Sequence, residues 1–277
     1  MESEAAWPAL AVVTHESEAD LRRSLPGHVA VAERLDAPLV VVDNASSDGT
    51  RALLAEWAGR SDRVEVIENA VNVGFATAAN RAVREAGAGR DVLVLNPDVE
   101  LPGPGPVEAL ARALVERPRA GIVAPRLVGA DGIVQPTARR PASLPAMLGS
   151  LPTVARLAPP LRSAYERYLG PSLADEPRSV GWVIGAAMLV RREAFDAVGG
   201  FDEGFFLYME DADLCRRLHL AGWGVEYLPG LRLRHGYARA SSVPGATVMR
   251  TPARRRHIAS LARYWRKHPD LLAGGPR

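Results

Sequence analysis

PLVVVDNASSDGT, residues 38–50, decides the fold class. Pro38 opens a run of β-formers, Leu39 to Val42, that ends on a carboxylate, Asp43. Asn44 to Gly49 are all turn-formers except Ala45, and a helical pattern runs from Thr50 to about Ala58. Ser46, Ser47 or Asp48 can cap that helix. A strand without polar alternation is buried on both faces, which is the mark of a parallel sheet covered by helices. The same unit recurs on either side. Leu10 to Thr14 (LAVVT) is an earlier strand and Val64 to Ile67 a later one. The turn Asn72-Val73-Gly74 precedes a helix over Phe75–Glu85. Asp91 to Leu95 is a fourth strand that runs into Asn96-Pro97-Asp98, and a proline-rich stretch from Leu101 to Pro106 leads to a helix near Val107–Glu116. The class is α/β, a mostly parallel central sheet flanked by helices. Ligands in such sheets bind at the carboxyl ends of strands, where Asp43 and Asp98 both fall.

Composition narrows the function. The 277 residues are 47% apolar and 24% charged, with net charge +2, as in an ordinary globular chain. One cysteine, Cys215, excludes an intrachain disulfide and a four-cysteine zinc site. Glu2 and Glu4 stand where a signal peptide would carry its basic region, and no run reaches the length of a spanning helix. Acids and bases alternate through most of the chain, which argues against a nucleic-acid partner. The exception is Arg254-Arg255-Arg256. HExxH, GxxxxGKS and a GxGxxG after the first strand are all missing, which removes the common zinc-protease, P-loop and dinucleotide readings.

The second half is less regular. Gln135 to Pro171 holds seven prolines and scattered arginines and reads in part as a mobile loop. Gly181 to Val190 resumes a strand pattern, Asp211 to Ala221 a helix stopped by Gly222, and Val225–Leu228 and Leu231–His235 two short strands. FDEGFFLYMEDAD, residues 201–213, mixes aromatics and acids as a cleft wall does. Asp211 opens a helix, where the dipole favours its ionised form, and can serve as a general base. Glu203, Glu210 and Asp213 share that candidacy on residue type. Asp98, in a proline-fixed turn beyond a strand, suits a hard cation, and His235 at another strand end is either a second ligand or a satisfied histidine.

Taken together, the chain resembles the inverting nucleotide-sugar glycosyltransferases of family 2, which have the GT-A fold, and within them the rhamnosyltransferase-like branch. The likeness rests on AVVTH at 11–15, VVVDNASSDGT at 40–50, NVGFATAAN at 72–80 and VLVLNPDVE at 92–100. It continues with VGWVIGAAMLVRREAF at 180–195, GGFDEGFFLYMEDADLCRRL at 199–218 and GWGVEYLP at 222–229, all in the family's order.

That resemblance implies roles. Thr14 and Glu16 would line the base and ribose pocket, Asp43 would bond base or ribose, and Asn72 would lie near the base. Asp98 would be the metal-binding aspartate of the DXD motif, whose first position here is Asn96, one negative charge fewer. His235 would complete the metal or diphosphate site, and Asp211 would be the catalytic base with Glu210 beside it on the donor side. Trp182 and Gly185 would shape the sugar and acceptor pocket, and residues between Arg139 and Gly185 would select the sugar. The cofactor would be Mg²⁺ or Mn²⁺. The donor would be dTDP-L-rhamnose, or a UDP-sugar such as one carrying galactofuranose or glucose. The acceptor would be a glycan, a lipid-linked glycan or a small molecule. A catalytically inactive paralogue would be expected to lack Asp98, Asp211 or His235, and a nucleotidyltransferase to carry a glycine-rich basic loop where THESEAD stands.

The resemblance divides the chain into a glycosyltransferase domain over 1–250 and a basic helical extension over 251–277. Within the domain, 9–100 would bind the nucleotide-sugar and 101–250 the acceptor. The extension mixes arginines with Ile258, Leu261, Tyr264 and Trp265. Such a segment packs on its own domain, joins a second copy, or lies on an anionic membrane surface. The expected location is the cytoplasm, including the inner face of the plasma membrane.

Overall fold

A computed structural model describes residues 6–236 and 252–273, with the side chains of 252–254 and 273 left aside. Glu2, Glu4, Thr251 and the side chain of Arg254 therefore lie outside the described residues. The chain opens with β1 (Ala9–Thr14), α1 (Glu18–Arg34), β2 (Leu39–Asp43), α2 (Thr50–Ala58), β3 (Val64–Glu68), α3 (Phe75–Glu85) and β4 (Val92–Leu95). The four strands pair in parallel in the order β3-β2-β1-β4. Every residue of β1 and β2 is buried, which is why neither alternates. Register places Thr14 opposite Asp43 at the carboxyl edge.

The sheet then grows through β5 (Val99–Glu100), α4 (Gly105–Val115) and β6 (Ala120–Val128). A subsidiary layer follows: β7 (Ala138–Arg139), α5 (Leu144–Gly149), α6 (Pro152–Leu157) and α7 (Pro159–Leu169). β8 (Arg178–Ser179), β9 (Trp182–Val183), β10 (Ala187–Val190) and α8 (Arg192–Ala197) lead to α9 (Glu210–Leu220) and β11 (Gly224–His235). β10 runs antiparallel between β4 and β6, and β11 pairs parallel with β6 and antiparallel with β5. The sheet is thus mostly parallel on its first half and mixed on its second.

Four expectations change. Residues 144–169, read as partly mobile loop, form three helices. Gly181 to Val190 is two strands, β9 in a small sheet with β7 and β10 in the main sheet. The two short strands at the end are one, β11, whose register shifts between Leu228 and Arg232. β6 is a central strand that the pattern did not announce.

The C-terminal helix α10 (Pro252–Lys267) lies on the domain. Tyr264 is buried, Trp265 Nε1 donates to the carbonyl of Ala142 at 2.9 Å, and Ser260 Oγ donates to that of Leu207 at 2.8 Å. Leu261 and Trp265 pack partly buried against the core, while Ile258 stays half exposed. The chain's single lysine, Lys267, bridges Asp202 at 2.7 Å and the fully buried Asp213 at 2.9 Å. Arg217 and His268 also hold Asp213. Among the described residues no helix is long and apolar enough to cross a membrane.

The Lys267 bridges set a pH dependence. Burial works to raise Asp202, but hydrogen bonds from Lys267, the Gly204 amide and Arg263 outweigh it and hold the group at about 2. Asp213 is likewise lowered, burial being outweighed by His268, Arg217 and Lys267. Depressed carboxylates stabilise the fold fully above their unfolded values and lose that contribution as pH falls towards the folded ones. Lys267→Met should lower stability at neutral pH by roughly 1–2 kcal/mol, discounted because Lys267 and Asp202 are partly exposed. The gap between variant and wild type in denaturant melts should shrink as pH falls from about 4 to about 2.

Candidate active site

The turn Asn96-Pro97-Asp98 projects from the end of β4 and is held from below. Ser24 and His28, one turn apart on α1, bond the carbonyls of Pro97 at 2.5 Å and Val99 at 2.7 Å. They grip the backbone on both sides of Asp98. Burial pushes His28 down to about 4, against the Val99 bond, so it sits there neutral. Pairing of β5 with β11 sets His235 opposite Val99, which carries the imidazole to Asp98. His235 Nε2 lies 3.2 Å from Asp98 Oδ1.

Gln135 decides which nitrogen of that ring carries hydrogen. Its amide nitrogen donates to the His235 carbonyl at 3.2 Å, so its Oε1 is the atom facing Nδ1, at 2.6 Å. Nδ1–H therefore donates to Gln135, and Nε2 is the ring nitrogen that faces the Asp98 carboxylate. Two acceptors at that separation need a proton or a cation between them. A carboxylate oxygen and an imidazole nitrogen are suitable ligands for Mg²⁺ or Mn²⁺. No third His, Cys, Asp or Glu joins them among the described residues, so further ligands would come from substrate or water.

The second group of acids stands at the start of α9. Tyr208 and Met209 both adopt left-handed backbone, φ 71° and 69°, just before Glu210. Such non-glycine residues cost about 1–3 kcal/mol each and persist only where the surroundings hold them. Here α10 holds them: Ser260 bonds Leu207, His257 stacks on Tyr208 at 4.9 Å, and Arg256 lies over Phe206 at 4.4 Å. The turn aims Asp211 at Gly185, whose N–H donates to Oδ2 at 3.1 Å, while Oδ1 accepts the Ala212 N–H at 2.7 Å. Burial raises Asp211, and these two bonds with the charge of Arg139 oppose the rise. Burial, then the Asp211 charge, push Glu210 well above its ordinary value. Both carboxyls are thus raised, Glu210 further than Asp211, whose two N–H bonds and the Arg139 charge favour its ionised form.

One cleft of about 940 Å³ joins the two groups. Asn96, Asp98, Trp182, Gly185, Glu210, Asp211 and His235 all line it. Thr14, Glu16, Asp43 and Asn72 do not; they cluster at the carboxyl ends of β1 and β2. There Asp43 Oδ2 accepts the Ser46 N–H at 3.0 Å and Arg51 Nε at 2.9 Å. Glu16 Oε1 accepts both the Ser47 N–H and its hydroxyl. Asp43 Oδ1 and Thr14 Oγ1 are buried without a hydrogen-bond partner, two polar atoms left for a ligand. Asn44, absent from the expected set, ties this cluster to Asn69, Asn72, Val73 and Gly74.

The alternatives to Asp211 are placed elsewhere. Glu203 bonds Asn80, and Asp213 is enclosed by Arg217, Lys267 and His268. Gln135, Arg139, Tyr165 and Tyr168 line the cleft from the segment read as loop. No periodicity marks them; the only signal was the concentration of arginines.

Comparison with known proteins identifies the family. The model described as Glycosyl transferase family 2 matches residues 10–199, and that described as Glycosyl transferase family group 2 matches 172–263. The N-acetylglucosaminyl-diphospho-decaprenol L-rhamnosyltransferase of Mycobacterium tuberculosis is 36% identical over 239 residues, covering 83% of this chain and 76% of its own. Rhamnosyltransferase WbbL of Escherichia coli is 50% identical over 56 residues, covering 20% of this chain and 21% of its own. Among solved structures, GalNAc-T7 with UDP, GalNAc and Mn²⁺ superposes with TM-score 0.63 at 18% identity, covering 98% of this chain. The present chain spans about half of that one, 52%. The mannosyltransferase PcManGT of Pyrobaculum calidifontis, in complex with GDP-Man and Mn²⁺, gives 0.61 at 18% identity, covering 97% and 68%. These structural likenesses establish the GT-A fold.

The Glu210 environment makes a prediction of its own. A carboxyl with a raised folded value destabilises the fold progressively as pH climbs from its unfolded value, about 4.3, through the folded one. Glu210→Gln keeps the neutral shape and removes that loss. The variant should gain on wild type in denaturant melts as pH rises above about 5. A constant difference across pH would mean that Glu210 is ionised in the fold.

Proposed function

Because the chain belongs to glycosyltransferase family 2, we propose that this cleft transfers a sugar from a nucleotide-sugar to an acceptor hydroxyl in one inverting displacement. The observation that carries the reading is that Asp211 and the Asp98–His235 pair line the same cleft. Asp211 accepts the proton of the acceptor hydroxyl. The freed oxygen forms the new bond to the anomeric carbon as the bond to the nucleoside diphosphate breaks on the opposite face. Glu210, neutral beside it, leaves the negative charge on Asp211, and the Gly185 and Ala212 N–H groups orient that carboxylate. Asp98 and His235, with Asn96 in the same turn, would hold Mg²⁺ or Mn²⁺, which when bound neutralises charge on the leaving diphosphate. Gln135 keeps the Nε2 lone pair of His235 available for it. The unmet oxygens of Thr14 and Asp43 suit the polar edge of a base or ribose, with Glu16 and Asn72 shaping that pocket. Trp182 supplies an apolar wall for the sugar.

The name of the Mycobacterium tuberculosis relative supports L-rhamnose as the donated sugar and an N-acetylglucosaminyl-diphospho-lipid as the acceptor; dTDP-L-rhamnose as the donor is carried over from the family resemblance. Such an acceptor places the reaction at the membrane surface, on the cytoplasmic side where nucleotide-sugars are found.

Asp211→Asn should lower kcat by roughly 10²-fold or more with little change in donor affinity, measured by steady-state kinetics and calorimetry. Undiminished turnover would remove Asp211 as the base. Asp98→Ala should weaken binding of dTDP in the presence of Mn²⁺ and leave free thymidine nearly unaffected. Gln135→Leu should lower Mn²⁺ affinity by roughly 10- to 100-fold at an unchanged melting temperature, as loss of a ligand-orienting partner does elsewhere.

A further inference from the structure

Arg139 lines the cleft at its Asp211 end, where its charge acts on Asp211 but its hydrogen-bond donors are not used in the displacement. It lies on one continuous strap with Gln135. They are four positions apart, a reach of at most about 14 Å in extended chain. Gln135 grips His235 at one end of the strap, and Arg139 acts electrostatically on Asp211 at the other. The arginine is firmly held. Its guanidinium carbon lies 4.9 Å from the Trp182 ring centre and 5.6 Å from that of Tyr168. Nε donates to the Pro136 carbonyl at 2.7 Å and Nη1 to the Tyr168 hydroxyl at 3.3 Å. Aromatic packing and two anchors leave the outer N–H groups, Nη2 above all, with no hydrogen bond to the described residues. Beside them Trp182 Nε1 and Thr137 Oγ1 are buried, line the same cleft and have no hydrogen-bond partner.

A guanidinium fixed by aromatic faces with open donors is pre-organised for a planar or tetrahedral oxyanion. Asp211 offsets its charge but leaves its outer donors unmet. Groups around the base meet the acceptor, because the base takes the acceptor's proton; the donor's diphosphate belongs at the other end, with Asp98 and His235. We infer that Arg139, with Trp182 and Thr137 beside it, is the seat of a phosphate group of the acceptor, so that one cleft receives two diphosphates at its two ends. The inference rests on the transferase reading above and adds the chemistry by which the acceptor is chosen.

Equilibrium binding separates the two. The full chain is first titrated with dTDP and Mn²⁺; failure to bind would overturn the transferase reading itself. With that site saturated, two acceptor probes are compared by calorimetry: N-acetylglucosamine joined through a diphosphate to a short isoprenoid alcohol, and the matching neutral glycoside. Wild type should bind the diphosphate probe roughly 10- to 100-fold more tightly, the range of one or two charged hydrogen bonds. Equal binding overturns the inference without any variant being needed. Arg139→Gln should remove most of that preference while the neutral glycoside changes less than about threefold, and Arg139→Lys should retain part of it. If Arg139→Gln instead weakens dTDP–Mn²⁺ as much as the diphosphate probe, the seat is the donor's and the inference falls. It also falls if both probes lose affinity equally, which would mean that Arg139 only packs the wall.

Discussion

The site depends on a single close approach of two backbones. At Gly74 an added Cβ would lie 2.4 Å from the carbonyl oxygen of Phe206, and Gly74 itself has φ 85°, where side chains are rarely accommodated. The next residue, Phe75, donates its N–H to that same carbonyl at 2.8 Å. Nearby, Asn80 holds Phe201 by both its N–H and its carbonyl. These contacts lock the start of α3 to the aromatic-acid segment 201–211. Together with the bond from Gly185, just before β10, to Asp211, they fix the first half of the sheet, which carries Asp98, relative to Asp211. The glycine is there because two chains must touch, and the asparagine because the touching backbones have bonds to satisfy.

Charge is distributed by the same logic. Acids with cationic partners are held low and structural, as Asp202 and Asp213 are beneath α10. Acids in the cleft are raised by burial, most of all Glu210. The nearby carboxyls of one short helix therefore sit in three environments: raised furthest by burial at Glu210, raised but bonded by two N–H groups at Asp211, and lowered by ion pairs at Asp213. Sequence alone shows three acids in a row of four residues. Their division of labour arises from which side of α9 each one faces: the cleft for Glu210 and Asp211, and α10 for Asp213.

Much of the first half could be read directly. Strands buried on both faces carry no polar alternation, so β1, β2 and β4 were visible, and Asp43 and Asp98 fell at their ends. The second half was obscured by proline. β6 contains Pro125 and Arg126, a pair that argues against a central strand. Arg126 is tolerated because Tyr227 and the Ala174 carbonyl bond its guanidinium inside the fold. In residues 144–169 the prolines look like breakers, yet Pro145, Pro152, Pro159 and Pro160 sit in first turns, where a missing N–H costs nothing. Pro229-Gly230 divides β11 on paper, but in the fold it is absorbed as a register shift. Gln135 and Arg139 left no pattern, since a short strap between elements has no period to betray which side chains face a cleft.

The C-terminal helix is tied to the domain by its rings and by two of its cations. Arginines beside Tyr264 and Trp265 suggest an amphipathic surface segment, but the rings are drawn onto the domain and two cations, Arg263 and Lys267, reach Asp202. What that packing secures is the pair of left-handed residues at 208 and 209. A strained turn relaxes unless every neighbouring contact opposes it, and α10 supplies three such contacts within residues 206–208. His257, on the same helix, reaches the cleft wall. The helix is therefore continuous with the site, with Arg256 over Phe206 and Arg263 over Phe205 and against Asp202. Detaching it would release the turn that aims Asp211, so the extension and the candidate base are mechanically one unit.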